Sequence, residues 1–324
     1  SRIRISLVAA MLCAGFAVAA DDPAEAAARA RAEGRIDEAI AAYGRAVQQR
    51  PAWAEGWFYL GTLLYEKDRF AEAVPALQRL VTLQPQGAAG WAFLGLSEFE
   101  TKQYARAAEH LTRAEALGLP GGGDPLTDQV RYQKAVMLTR AGKFEPGLKY
   151  LHLFSRHPKI EPRVIELTGL AALERPKSPD AIVEEERELV VRTGRAILTA
   201  GESLDRAIEL LGQIADDFPK AATVRYRQGL FLLNSNADRA LELFVQELAI
   251  NPGHVPSMVT AALEYLKRND PVKAEPLAKQ AAKKSPLDFP SRLAYGRALL
   301  ALDRAALALP ELQMALKLAP EARP

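Results

Sequence analysis

The sequence has one cysteine, four histidines, three tryptophans and almost no net charge among its 324 residues. Cys13 has no second thiol to pair with, so an intrachain disulfide and a multi-thiolate metal site are both excluded. It lies inside an apolar run. Leu12 stands before it, where a lipoprotein signal has a small residue, and this argues against lipidation. None of His110, His152, His157 and His254 has a histidine partner four residues away, and no HExxH occurs. His152 and His157 are five apart and fall on different sides of a helix. Gly121-Gly122-Gly123 is not followed by GK[ST], so no phosphate loop is present. Arg2 and Arg4 account for the whole formal charge of +2, and the rest of the chain is balanced. A balanced chain has no electrostatic footprint for nucleic acid or an anionic membrane surface. We therefore nominate no catalytic, cofactor-binding or metal-binding residue and expect neither enzyme activity nor a small-molecule substrate.

What is present favours helix. Hydrophobic residues make up 49% of the chain and charged residues 25%, which suits a folded protein rather than a disordered one. Ala and Leu dominate the apolar set, with few alternating Val, Ile or Thr stretches. Residues 1–20 read as a secretory signal peptide: Arg2 and Arg4, the uncharged run Ile5 to Val18, then Ala17-Val18-Ala19 as a small-x-small site. Cleavage is expected near Ala19 or Ala20, giving a periplasmic or secreted protein. A retained N-terminal anchor is the competing expectation.

Self-similarity is the main signal. A shift of 34 residues lays Trp57 on Trp91, Leu60 on Leu94, Gly61 on Gly95, Ala73 on Ala107 and Leu77 on Leu111. Near the C-terminus, Ala207, Ala240, Ala274 and Ala308 recur at 33, 34 and 34 residues, and Pro219, Pro252, Pro286 and Pro320 keep the same intervals. Upstream, Gly34, Ala39, Tyr43, Ala46 and Pro51 are in phase.

Trp57-x2-Leu60-Gly61-x2-Leu64, then Ala73-x3-Leu77 and Pro85, resembles the tetratricopeptide-repeat signature, with Leu at two aromatic positions. The resemblance implies an all-α, right-handed superhelical solenoid of antiparallel helix pairs, roughly eight units on a 34-residue period, the middle ones degenerate. Small residues such as Gly61 and Ala73 let paired helices approach, Gly34 and Gly142 serve as C-caps, and the prolines close each unit. The expected organisation is a signal at 1–20, an N-terminal block at 21–119 and a Gly/Pro linker at 120–126. Degenerate helices follow at 127–200, broken near 174–180, and a C-terminal block occupies 201–324. Arg131 stands where Trp is expected, and Gly147 replaces the alanine. Glu184 to Glu188 and Lys279, Lys283 and Lys284 read as solvated helix faces.

In this family the first helix of each unit lines a groove that holds partner segments. Phe58, Thr62 and Tyr65 form an i, i+4, i+7 stripe on the first of these helices. Ala92, Leu96 and Phe99 repeat it, Tyr132, Val136 and Thr139 continue it, and Tyr226, Leu230 and Leu233 return to it. Such a stripe serves either as packing between repeats or as an apolar groove for a hydrophobic peptide or amphipathic helix. No Asn is available there to clamp a terminal carboxylate. The last helix lacks a polar capping helix, so Leu309, Leu312 and Leu316 are expected to face a second copy or a partner. The expected function is a non-catalytic protein-binding scaffold. Two alternatives are a component of cell-envelope machinery (outer-membrane assembly, pilus or polysaccharide export) and the repeat portion of a larger enzyme.

Overall fold

The structure, a computed structural model, describes residues 22–320. These form seventeen α-helices and one short 3-10 turn, and no strand occurs among them. They divide into two compact units, residues 22–157 and 158–320. The expected signal peptide lies outside the described residues.

The first unit holds α1 (Pro23–Ala32), α2 (Ile36–Gln49), α3 (Ala54–Glu66), α4 (Phe70–Leu83), α5 (Ala88–Glu100), α6 (Tyr104–Leu117), α7 (Pro125–Arg140) and α8 (Phe144–His152). They pack as successive antiparallel pairs, with a three-residue turn inside each pair. The turn geometry repeats. Gly34, Asp68, Lys102 and Gly142 all adopt positive φ, between 58° and 73°. After each, the chain donates back to the carbonyl five residues earlier: Arg35 to Ala30, Arg69 to Leu64, Gln103 to Glu98 and Lys143 to Leu138, at 2.8–2.9 Å. This is the Schellman closure, and it needs a left-handed residue at one fixed place in each first helix. The first three such residues lie 34 apart. Of the expected linker, Pro125 and Leu126 belong to α7, whose N-cap Asp124 accepts the Thr127 N–H at 2.9 Å.

The second unit holds α9 (Pro162–Ala172), α10 (Glu184–Thr199), α11 (Leu204–Asp217), α12 (Val224–Leu232), α13 (Ala237–Ile250), α14 (Val255–Lys267), α15 (Pro271–Lys284), α16 (Phe289–Ala301) and α17 (Ala305–Leu318). Glu174, Asn269 and Asp303 carry the same positive φ and the same closure, with Arg175 donating to Leu170 at 2.8 Å. Glu174 therefore marks α9 as a first helix. Its second helix, however, follows an eleven-residue strap, 173–183, and not a three-residue turn. Glu186 ties the strap down: its carboxylate takes Arg175, Lys177 and the Val183 N–H.

Second helices stop in a common way too. Arg50, Gln84, Phe218, Asn251, Ser285 and Ala319 each precede a proline, and all lie at φ between −122° and −143° with ψ near 70°. A following proline ring excludes the α region for the residue before it, so the helix ends there. Glycines set the closeness of the pairs. A Cβ at Gly61 would fall 2.5 Å from Leu77 Cδ2, and one at Gly296 would fall 2.6 Å from Leu312 Cδ2. The α9–α10 crossing is closer still: a Cβ at Gly169 would lie 1.9 Å from the Val190 carbonyl oxygen, and one at Gly194 just as near that of Ile165.

Candidate protein-binding face

Four first helices, α3, α5, α12 and α16, are pinned at their start by the residue at the signature tryptophan position. Trp57 Nε1–H donates to the Pro51 carbonyl at 3.1 Å, and Trp91 does the same to Pro85 at 2.9 Å. In the C-terminal repeats Arg225 and Arg292 occupy this register and donate to Pro219 at 3.2 Å and Pro286 at 2.9 Å. At these two positions arginine keeps the chemistry of the tryptophan, a planar N–H donor closing the carbonyl of the previous unit's proline, whereas α14 has Met258 there and no such donor.

Most of the predicted stripe lies in packing. Thr62 is buried and returns its hydroxyl to the Phe58 carbonyl at 2.9 Å. Phe58 and Tyr65 are partly buried, and both rings meet Phe93 edge-on, with centroids 6.3 and 5.5 Å away. Ala92 and Leu96 are fully buried, and Tyr132, Val136 and Thr139 in α7 are buried as well. Phe99, only partly buried, stacks edge-on with Tyr104 at 5.4 Å. Tyr226 is buried against Phe244 and His254. Leu230 differs, since it keeps partial exposure.

Leu230 belongs to a second set. Leu230 and Leu263 share one register of α12 and α14, while Leu233, Leu266 and Leu300 share another across α12, α14 and α16. Leu233, Leu263 and Leu266 are partly exposed, and Leu300 is 48% exposed. On this first-helix face Leu230, Leu233, Leu263 and Leu266 thus pack on the core with one side and keep the other in solvent. The stripe read from the sequence includes Leu230 and Leu233 but not the α14 and α16 members, because leucine in a leucine-rich helix gives no local signal.

A buried polar cluster in the second unit also escaped it, for its members are far apart in sequence. Arg227 on α12 donates Nε–H to the Ala172 carbonyl at 2.9 Å, and its Nη2 lies 3.6 Å from Glu174 Oε1. His254 Nε2 meets the same carboxylate oxygen at 3.1 Å, and its Nδ1 lies 2.7 Å from Ser257 Oγ. Serine, histidine and carboxylate in series have the connectivity of a nucleophile relay. Here Ser257 is 0% exposed and cannot meet a substrate. Its place repeats that of Thr127 beside Asp124 and Ser291 beside Asp288, where the N-cap side chain takes the hydroxyl at 3.0 and 2.5 Å. His254 is the N-cap residue of α14, but unlike Asp124 and Asp288 it takes only the hydroxyl and no backbone N–H. Nearby, Glu247 is buried and accepts the Thr223 N–H at 2.7 Å. Burial pushes its carboxyl above the ordinary glutamate range, against the opposing effect of that bond, His254 and Arg225.

Elsewhere, buried Glu98 is held by Arg106 at 3.0 Å and His110 at 2.5 Å. Among the described residues no group of three or more His, Cys, Asp or Glu could hold a metal ion. Leu312 packs inward on Gly296, whereas Leu309 and Leu316 are 58% and 56% exposed.

The tetratricopeptide-repeat profile matches residues 25–88, 61–122, 191–255 and 259–323, together more than half of the chain. No curated protein matches it. Solved structures similar to it include MamA from Desulfovibrio magneticus RS-1, at 17% identity over 61% of this chain and 97% of that one, TM-score 0.35. MamA of MSR-1 is 18% identical over 61% and 99%, TM-score 0.36. YrrB, described as a TPR protein with an unusual peptide-binding site, is 15% identical over 77% and 95%, TM-score 0.29. The unmatched stretch, 123–190, covers α7 to α9 and the strap, where the turn closures persist while the signature residues do not. With the repeat phase, the turn closures and the profile in agreement, the chain belongs to the tetratricopeptide-repeat family.

Proposed function

We propose that this protein is a scaffold without catalysis of its own, holding an apolar segment of a partner protein against the first-helix face of its second unit. The observation that carries this reading is the contrast between the units. At one register Thr62 and Leu96 are buried in the first unit, whereas Leu230 and Leu263 keep part of their side chains in solvent; at the next, Leu233, Leu266 and the 48% exposed Leu300 put leucine where the first unit has the partly buried Tyr65 and Phe99. A partner helix with aliphatic residues every three to four positions, or an extended apolar segment, matches such rows. The basic, apolar and small-residue regions of residues 1–20 support work in the cell envelope or outside the cell.

The test is affinity capture from the envelope of the native host, followed by mass spectrometry. We expect a defined partner with the wild-type chain that is lost with Leu233→Asp/Leu266→Asp, while the circular dichroism spectrum is unchanged. A partner retained by that variant would refute this location. Phe58→Ala serves as a contrast: it removes packing, so it lowers the melting temperature before it affects capture.

A further inference from the structure

We propose that the partner segment held on the second unit carries an acidic side chain beside its apolar residues, and that Arg297 on α16 receives it. This inference rests on the first-helix face being the partner site, and it adds the charge that the partner must bring.

The repeat register places Arg297 among the leucines. Gly229, Ala262 and Gly296 hold the same place in α12, α14 and α16, and the residues after them are Leu230, Leu263 and Arg297. On α10, Ile197 follows Ala196 in the same way, 33 residues before Leu230, and is partly buried. The row is therefore aliphatic on three helices and cationic on the fourth. Three residues further along, the second row runs Leu233, Leu266 and Leu300. Arg297 and Leu300 are thus neighbours on one face of α16, and both are exposed.

Arg297 is left without a counter-charge: among the described residues it has no hydrogen-bond or ion-pair partner. The other basic residues of α12, α14 and α16 all have one. Arg225 donates to the Pro219 carbonyl at 3.2 Å and Arg227 to that of Ala172 at 2.9 Å, while Lys267 binds Glu264 and Arg292 binds Glu311. Glu264, the acidic residue of α14, is already taken by Lys267 and Arg268. A segment that covers Leu263 and Leu300 also covers Arg297, which stands in line with the first and beside the second. An apolar residue there would strip the guanidinium of water and return nothing, whereas a carboxylate returns a charge-assisted bond. A basic residue would add repulsion to the lost hydration, so Arg297 also selects against basic amphipathic segments. Since α14 and α16 pack directly on each other, a partner helix laid along the row meets Leu263 and Arg297 with residues about two turns apart.

Selection on the full chain from a displayed library of random peptides tests this without presuming the partner or its direction. Peptides of roughly 20 residues suffice, since a helix of that length spans three first helices. We expect the wild type to select aliphatic side chains with an Asp or Glu beyond them. Selection on Arg297→Glu should replace that acid by Lys or Arg, and selection on Leu233→Asp/Leu266→Asp should enrich nothing. Fluorescence anisotropy then measures the best peptide. Changing its acid to lysine should weaken binding to the wild type about tenfold or more, and binding to Arg297→Gln by less than about twofold. Arg297 is exposed, so both of its variants should keep the helical spectrum and melting temperature of the wild type. Aliphatic peptides without the acid, or an acid whose loss matters equally in Arg297→Gln, would overturn the proposal and leave the apolar face standing as the partner site. A wild type that enriches nothing, or peptides that bind Leu233→Asp/Leu266→Asp as well, would overturn both.

Discussion

Gly169 and Gly61 show how much a single hydrogen in place of a methyl group decides. At Gly61 the added Cβ would meet Leu77 Cδ2 and Cγ at 2.5 and 2.6 Å, a side chain that can shift only by repacking its buried surroundings. At Gly169 it would meet the Val190 carbonyl oxygen at 1.9 Å, and backbone does not turn aside. We expect Gly61→Ala to cost about 1–3 kcal/mol, the usual range for overpacking, and Gly169→Ala to exceed it because α9 and α10 must separate. Urea unfolding of both variants checks the order. Glu247 makes the second residue-scale prediction. Its folded carboxyl titrates above the ordinary glutamate range, chiefly through burial. The folded state therefore holds the proton more tightly than the unfolded state, and stability falls as pH rises through that window. Glu247→Gln removes this slope while its amide oxygen can still accept the Thr223 N–H. Melting temperatures of variant and wild type should differ in the variant's favour more at pH 7 than at pH 4. A constant difference across that range would mean that Glu247 does not titrate there.

Turns carry the repeat at the scale of the element. Seven first helices close through a left-handed residue, and the chain uses Gly, Asp, Lys, Gly, Glu, Asn and Asp at Gly34, Asp68, Lys102, Gly142, Glu174, Asn269 and Asp303. Left-handed φ costs a side chain about 1–2 kcal/mol, least for Asn and Asp. Lys102, at φ 64°, is the least suited of the seven together with Glu174, and among the described residues its ammonium has no hydrogen-bond or ion-pair partner to lose. Lys102→Gly should stabilise the fold by about 0.5–1 kcal/mol, the strain relieved outweighing the entropy glycine adds to the unfolded chain. Chemical denaturation measures it, and a loss of stability would contradict the closure as described. Much of this level was legible in the sequence. Gly34 and Gly142 announced their turns, and the prolines at 51, 85, 219, 252, 286 and 320 announced where second helices stop. Glu174 did not. A glutamate rarely marks a left-handed turn, and the strap after it hid the pairing of α9 with α10. The site was less legible than the fold for a related reason. Burial of Ala92, Leu96 and Tyr132 depends on how neighbouring helices close over them, which a stripe on one helix does not encode.

Across the whole molecule, a repeat array replaces one core with a series of seams, and each seam is local. The apolar clusters follow that rule within the second unit: Met258, Val259, Ala278, Ala281, Ala294 and Ala298 form one cluster across α14 to α16, while Leu170, Val190, Leu211 and Val224 form another across α9 to α12. The Glu174–His254 contact is the exception, since it joins residues 80 apart and ties the end of α9 to the start of α14. Removal of α16 and α17 breaks the seam along Ala294 and Ala298 but touches neither the α9–α12 cluster nor the Glu174 contact. A chain ending after Ser285 should therefore stay folded from α9 to α15, with helix content lowered only by the helices removed and a smaller denaturant dependence in proportion to the surface lost. Hydrogen exchange locates the effect: α14 and α15 should lose protection first, and α9 to α12 should keep theirs. If protection collapsed evenly along the second unit, its stability would be that of one indivisible core, and the seams would not be its unit of construction.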